Sequence, residues 1–349
     1  MLALVYKNFA ANANISHIGL GVSALNTAKV LKRHGLPVLA LAINSVGDLK
    51  DFLDSHPKVT RVVISAAWLP LLELGHVVTQ YPEVEFVVNI HSNVGFLQAD
   101  PNGVRLLQGY VDLAEELLNF RISGNSLKFT NWLSEAYTIA SIYLPNLYNL
   151  DHKTLTNRPL YNGGALRIGA FGATRPQKNF MTAAGAAIAV SKELRVPVEF
   201  WMSGGRQEGG GTIQRAIEEL LKSQPNVTLK ILTWTAWPEF LRFLETLHLM
   251  LQPSYTESFN MVTADGISRG VPSVVSDAID WAPSNWITKM DDALAVSRTG
   301  RGLITDPHAM VDGAKALEYH NHQGFQEWVE FMGCDPVLYS SGVGIGPIR

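Results

Sequence analysis

Two carboxylates, Glu257 and Asp265, lie eight residues apart in a stretch that begins Glu257-Ser258-Phe259-Asn260 and runs on to Gly270, Pro272 and Ser273-Val274-Val275-Ser276. On a helix that spacing puts both acids on one face, about two turns apart. Carboxylates accept hydrogen bonds from sugar hydroxyls, and a helix N-terminus at a strand's end attracts phosphate. Together they suit a ligand that carries both. An isolated acidic pair also suits a capped surface helix with two solvated acids.

Other segments offer matching chemistry. Gly172-Ala173-Thr174-Arg175-Pro176-Gln177-Lys178-Asn179 follows an apolar run and supplies two cations at a strand end, fit for a phosphate or for a solvated basic loop. Gly19-Leu20-Gly21 is read as a loop before a helix starting near Val22, where small residues let backbone N–H groups approach a phosphate; a plain tight loop is the alternative. His91 follows Val87-Val88-Asn89-Ile90, and the end of a strand is where open α/β sheets bind ligands, although a lone His is often structural. Ser203-Gly204-Gly205 and Thr233-Trp234 follow two further apolar runs. Trp234 suits stacking on a base, and both Trp234 and Trp237 suit hydrophobic cover.

The elements that must carry these residues alternate in type. Short apolar strands are expected near 2–6, 37–42, 61–65, 85–90, 120–122 and 139–144, with helices near 22–34, 47–55, 103–118 and 126–135. After the polar stretch from Asp151 to Gly164 the pattern restarts. Strands are expected near 166–171, 198–202, 228–232, 247–251 and 273–275, and helices near 179–194, 212–223, 238–246 and 261–269. Such alternation implies a parallel sheet in each half. Phe325, Trp328, Val329 and Met332 have helical spacing. The expected division is a first domain over 1–155, a second over 165–320, a terminal helix over 321–333 and a Gly-rich tail over 334–349.

A chain of 349 residues exceeds what one core usually supports. The net charge of −3 decides nothing about polyanionic partners, and the single cysteine, Cys334, excludes a disulfide framework and a cysteine metal cluster. No signal peptide and no apolar run of membrane-spanning length is read, so a soluble, cytoplasmic protein is expected. With no Asp-x-Asp motif and no His/Cys ligand set, neither a metal nor a cofactor is expected.

The stretch from Pro253 to Ser276 resembles the donor-binding signature of retaining GT-B glycosyltransferases of the Glu-x7-Glu type, the family 4-like enzymes. Pro253, Ser254, Glu257, Phe259, Gly270 and Pro272 match it, while Asn260 replaces a Gly and Asp265 replaces the second Glu. The resemblance implies two Rossmann-like domains facing each other across a cleft, with a C-terminal helix crossing back. It implies transfer of a sugar from a nucleotide-diphosphate sugar to a hydroxyl acceptor. Lys178 matches the family's phosphate-binding Lys; the family's Arg position holds Ala173, with Arg175 two residues later. Catalytic roles fall to His91, Lys178, Arg175 and Glu257. Donor binding falls to Gly19, Gly21, Gly204, Gly205, Trp234, Ser258, Phe259, Asn260, Met261 and Asp265, the last for ribose. Pro145-Asn146 resembles the pair that closes the family's first domain. The motif version and His91-Ser92-Asn93-Val94-Gly95-Phe96 are similar to phage-encoded transferases, some of which glycosylate hydroxymethylpyrimidines in DNA; that origin would put the protein in the host cytoplasm. Alternatives are a saccharide or lipid acceptor, or a non-catalytic nucleotide-sugar-binding module.

Overall fold

The computed structural model describes residues 1–8, 18–151, 161–204, 211–233 and 235–334. It consists of two compact units. One is formed by Met1–Asn149 together with the chain from Tyr319 onward, the other by Leu150–Glu318.

In the first unit, strands β1 (Leu2–Lys7), β2 (Val38–Ile43), β3 (Arg61–Ser65), β4 (Glu85–Ile90), β5 (Phe120–Gly124) and β6 (Ile142–Tyr143) form one parallel sheet in the order β2-β1-β3-β4-β5-β6. Its helices are α1 (Ile18–Arg33), α2 (Val46–Ser55), α3 (Leu71–Gln80), α4 (Val94–Leu97), α5 (Pro101–Glu116) and α6 (Leu127–Tyr137). The strands are apolar on both faces because helices cover both. Alternate residues divide between two cores: Ala3, Val5, Val62 and Ile64 join one, while Leu2, Leu4 and Val63 join the other. Helix starts are specified locally. Ser45, Asn93, Asp100 and Ser126 each accept from a backbone N–H of the helix they precede, and Pro101 occupies the first turn of α5.

The second unit has strands β7 (Leu166–Ala170), β8 (Val198–Ser203), β9 (Val227–Leu232), β10 (Leu249–Gln252) and β11 (Ser273–Val275), parallel in the order β11-β10-β7-β8-β9. Helices α7 (Phe180–Leu194), α8 (Gly211–Lys222), α9 (Trp237–Leu244), α10 (Met261–Ser268) and α11 (Ala293–Thr305) connect and cover them. A last helix, α12 (Ala309–Phe331), begins in this unit, and its residues from Tyr319 belong to the first. There Phe325, Trp328 and Val329 enter the core beside Leu2, Leu4 and Val63. Trp328 Nε1 donates to the Pro145 carbonyl at 2.9 Å, and Gly324 allows the close approach, since a Cβ there would stand 2.8 Å from Pro145 Cγ. The Pro145-Asn146 pair therefore serves as the docking edge for this helix.

Each sheet has one point where the chain's direction of travel across the sheet reverses: between β1 and β3 in the first, between β7 and β10 in the second. Ligands of open α/β sheets bind outside the strands' carboxyl ends at such points.

Three of the longer helices differ from the sequence expectation, and the short α4 was not expected either. Helix α3 was not expected: Gly75 interrupts it, yet that glycine faces α5, where a Cβ would come 3.2 Å from Leu113 Cδ1. Helix α11 was hidden by Gly300 and Gly302; at Gly300 a Cβ would lie 2.8 Å from Leu249 Cδ2, so packing selects the glycine that propensity disfavours. The terminal helix begins at Ala309 rather than 321, with no break at the expected domain end. Most of the expected linker, residues 152–160, and the tail from 335 lie outside the described residues. Among the described residues no helix is long and apolar enough to cross a membrane.

Candidate functional site

The second unit's reversal point brings together residues that are far apart in sequence. From β7 the chain turns at Gly172, whose φ of 119° is left-handed and whose missing Cβ leaves room for the Lys178 stem; a Cβ would stand 3.1 Å from Lys178 Cε. Thr174 Oγ1 donates to the Ser203 carbonyl, and the Gly172 N–H donates to Ser203 Oγ, both at 3.2 Å, fastening this loop to the end of β8. A short 3-10 turn, Pro176–Lys178, then aims Lys178 across to the loop after β10. Asn179, left-handed at φ 53°, donates its amide to the Pro253 carbonyl at 3.1 Å and to the Met290 carbonyl.

Lys178 Nζ meets Glu257 Oε1 at 2.6 Å, with the two side chains only 9% and 6% exposed. Burial by itself raises the Glu257 carboxyl. The Lys178 charge and hydrogen bond, a Ser254 hydrogen bond and the Arg175 charge outweigh it and hold Glu257 below the usual carboxylate range. Arg175 is thus close enough to act on Glu257 electrostatically. Asn260 Nδ2 donates to the same carboxylate oxygen at 2.9 Å, while Asn260 Oδ1 accepts from the Thr263 N–H at 2.9 Å and caps α10. Asn260 has φ 66°. This explains an Asn where the resembling family carries Gly: after Gly, Asn adopts the left-handed region most readily, and here both ends of its amide are used.

The expectation that Glu257 and Asp265 share a helix face is corrected. Helix α10 starts at Met261, and left-handed Asn260 separates it from Glu257, which lies in the preceding loop. Asp265 does lie on α10, is 4% exposed, and its Oδ1 accepts from Trp237 Nε1 at 3.1 Å. Trp237 at the start of α9 is therefore an Asp265 partner that sequence reading left as hydrophobic cover. Phe259 is buried, stacks on Trp281 with ring centroids 5.1 Å apart, and gives its carbonyl to Trp281 Nε1 at 2.6 Å. Its side chain therefore packs, while Ser258 and Met261 beside it are partly exposed. Gly204 donates its N–H to the Leu232 carbonyl at 2.8 Å, and a Cβ there would collide with Ile231. Gly205 and Trp234 lie outside the described residues.

The first unit's reversal point has a different character. His91, just beyond β4, has Nε2 3.2 Å from Ser65 Oγ at the end of β3 and Nδ1 3.3 Å from Asn125 Nδ2 at the end of β5. Burial pushes its pKa down to about 4, so the ring is neutral at physiological pH. Asn93 accepts the Phe96 N–H at 2.8 Å through its side-chain oxygen. Gly19 and Gly21 are not in a loop before the helix. Both belong to the first turn of α1, and Gly21 lets that turn approach Tyr6, whose Cδ2 would be 3.2 Å from a Cβ. Their backbone N–H groups still stand at a helix N-terminus.

Comparison with known proteins agrees with this architecture. A model of a family described as "Family 4 Glycosyltransferase in conflict systems" matches residues 142–279. That span holds Arg175, Lys178, Glu257 and Asp265 and is less than half of the chain. No curated protein matches. Among solved structures, HepE of Anabaena in complex with UDP and glucose superposes with a TM-score of 0.60 at 13% identity, covering 95% of this chain and 100% of that one. The apo structure of OtsA gives 0.62 at 11% identity, covering 99% and 100%. TarM of S. aureus gives 0.56 at 13% identity over 84% of this chain, which spans 58% of TarM. Two parallel-sheet α/β units and a likeness to these structures over nearly the whole chain decide the architecture. The fold is GT-B.

Proposed function

We propose that this GT-B chain is a retaining glycosyltransferase that moves a sugar from a nucleotide-diphosphate sugar to a hydroxyl acceptor. The observation that carries this reading is the buried Lys178–Glu257 pair across the β7/β10 reversal point, with Arg175 and Asn260 beside it. The match to a family 4 glycosyltransferase model over these residues supports it, as do the UDP and glucose bound by HepE.

In this reading Lys178 and Arg175 take the diphosphate. Leaving-group charge develops as the bond from the sugar's anomeric carbon to phosphate oxygen breaks, and prepositioned cations stabilise that charge without reorganising. Glu257, relieved of part of its bond to Lys178, accepts from sugar hydroxyls. Backbone N–H groups of Ser258 to Met261 and the α10 start add donors. Asp265, oriented by Trp237, holds the ribose. The acceptor oxygen bonds to the anomeric carbon on the face the diphosphate leaves, and its proton passes to the departing phosphate oxygen. Neutral His91 orients sugar or acceptor by hydrogen bonding. No metal or cofactor is part of this scheme.

The acceptor we propose is the hydroxymethyl group of a modified pyrimidine in DNA. Its support is the resemblance to phage-type sequences, a family described as belonging to conflict systems, and the exposed Lys29 and Lys32 on α1, with Arg33 beside them donating to Asn149. Of the other cations in the first unit, Arg121 is engaged with Glu85 at 3.1 Å and Arg105 with Asn102. A base in duplex DNA must be flipped out to be reached.

The test offers duplex DNA containing hydroxymethylcytosine or hydroxymethyluracil with a panel of nucleotide sugars, followed by digestion and weighing of the nucleosides. The expected result is a mass gain of one glycosyl residue, with donor stereochemistry retained by NMR. No gain with any donor, alongside turnover on a free saccharide or lipid, would move the acceptor elsewhere. Absence of both transfer and donor hydrolysis would reduce the chain to a nucleotide-sugar-binding module.

A further inference from the structure

The second unit has a cavity of about 590 Å³ at its β11 edge that none of the roles above uses. Tyr255, Asp277, Ile287, Lys289, Met290 and Asp291 line it. Three connections build it. The Tyr255 N–H donates to the Gln177 carbonyl at 2.8 Å, the Thr288 N–H donates to the Val275 carbonyl at 2.9 Å, and Ile287 bridges Val275 as a further parallel step beyond β11. Its Met290 carbonyl accepts from Asn179, the neighbour of Lys178. The cavity wall and the diphosphate corner are thus joined through one asparagine side chain.

The strand order gives this cavity a place in the reaction. Along the carboxyl edge run the ends of β9 and β8, then β7 and β10 with Lys178 and Glu257, then β11 and the cavity. In the proposed reading the diphosphate and donor sugar lie at Lys178 and Glu257, with the base toward the ends of β8 and β9. The cavity lies one step further on, away from the base.

Its lining suits a neutral polyhydroxylated ring. Tyr255 is 50% exposed, and its ring is an amphipathic face of the kind that covers the C–H side of a pyranose. Asp277, Asp291 and Lys289 are exposed and mixed in sign, so they offer hydrogen bonds to hydroxyls without selecting a charged ligand. We propose that this cavity is a pyranose subsite for a second sugar ring, either that of a free saccharide or one already carried on a hydroxymethylated base, and that a hydroxyl of this ring is a further acceptor beside the hydroxymethyl group. The assignment of the acceptor, though not the existence of the subsite, rests on the glycosyltransferase reading.

The experiment is saturation-transfer NMR on the full chain with glucose, galactose and N-acetylglucosamine, each with and without saturating UDP, GDP or CDP. Sugar binding should persist when the nucleotide is bound. It should weaken at least fivefold in Tyr255→Ala, less in Asp291→Asn, and stay near wild type in Tyr255→Phe. Nucleotide affinity should remain within twofold in all three variants, which also shows that they fold. Sugar signals absent with every nucleotide, or undiminished in Tyr255→Ala, would overturn the subsite. Failure of every nucleotide to bind the wild type, with Tyr255-dependent sugar binding intact, would sink the glycosyltransferase reading and leave the subsite standing. Parallel transfer assays on glucosylated and unglucosylated hydroxymethylcytosine DNA and on free glucosides separate the sources. Transfer to unglucosylated DNA alone would overturn the sugar ring as a further acceptor and leave the hydroxymethyl group as the acceptor.

Discussion

The two sheet reversal points use opposite electrostatics. In the second unit a lysine and a glutamate are buried together with an arginine nearby, and charge holds the glutamate ionised. In the first, a histidine is enclosed by serine and asparagine, and burial holds it neutral. A charged pair out of water is costly unless its partners are well placed, whereas a neutral polar cluster requires only hydrogen bonds. The second unit is therefore constrained in residue identity at Lys178, Glu257 and Asn260. The first needs only small polar groups around a ring. The family match falls on the charged side, from residue 142 to 279, in keeping with the tighter constraint.

The sharpest way to break this contrast is Glu257→Ala. It leaves Lys178 buried without its carboxylate, so it should cost about 3–5 kcal/mol of stability and slow transfer by roughly a hundredfold or more. Glu257→Gln keeps the shape and the Asn260 and Lys178 neighbours, and should lose activity with much less stability. Urea unfolding read beside donor turnover separates the two effects. A Glu257→Ala protein as stable and as active as wild type would show that the pair is neither a constraint nor a site.

Next in size, Lys178→Ala should weaken nucleotide-sugar binding and turnover more than Arg175→Ala does, because Lys178 reaches the centre of the corner while Arg175 acts from its partly exposed rim. Nucleotide titrations on both variants decide the order. A larger loss at Arg175 would transfer the main diphosphate contact to it. Gly172→Ala should act in the same direction through position alone. The new methyl meets Lys178 Cε in a backbone region alanine disfavours, at a cost of about 1 kcal/mol or more. The expected reading is a lowered unfolding midpoint with a several-fold loss of donor affinity; wild-type values of both would mean that the loop relaxes freely.

These particulars show what the sequence made legible. The β/α alternation marked both sheets, because strands covered on two faces read as continuous apolar runs. The residues Lys178, Glu257, Asp265 and His91 were visible as polar side chains just beyond or near such runs. Their pairings were not. Lys178 and Glu257 are 79 residues apart, and only the strand order that sets β7 beside β10 makes them neighbours. The Asn260 substitution carried a signal of its own, since Asn in place of Gly marks a left-handed residue, and that residue ends the helix face on which Glu257 had been placed. Trp237 carried none: nothing in its local sequence distinguishes an Asp265 donor from a hydrophobic cover. Gly75 and Gly300 misled for the reverse reason, since close packing selected them inside helices.

The smallest expected effect sharpens the neutral side of the contrast. The folded His91 has a pKa near 4 against a usual value of 6.5, so the unfolded chain binds more protons between those limits. Stability therefore rises with pH across that window: the full benefit of a neutral His91 is present above about pH 6.5 and is lost as pH falls toward 4. At pH 5 the loss amounts to no more than roughly 2 kcal/mol. His91→Gln has no ring to protonate, so its stability should fall less than that of wild type between pH 7.5 and pH 5. The difference between the two proteins' pH slopes, read from urea midpoints, isolates the histidine from carboxylates that titrate in both. Donor affinity at pH 7.5 should change little in this variant, because the proposed function assigns the nucleotide's charge to Lys178 and Arg175. Parallel pH slopes would mean that His91 titrates normally and that the first reversal point is open to water. A large loss of nucleotide affinity would mean that the division between a charged site and a neutral one is wrong.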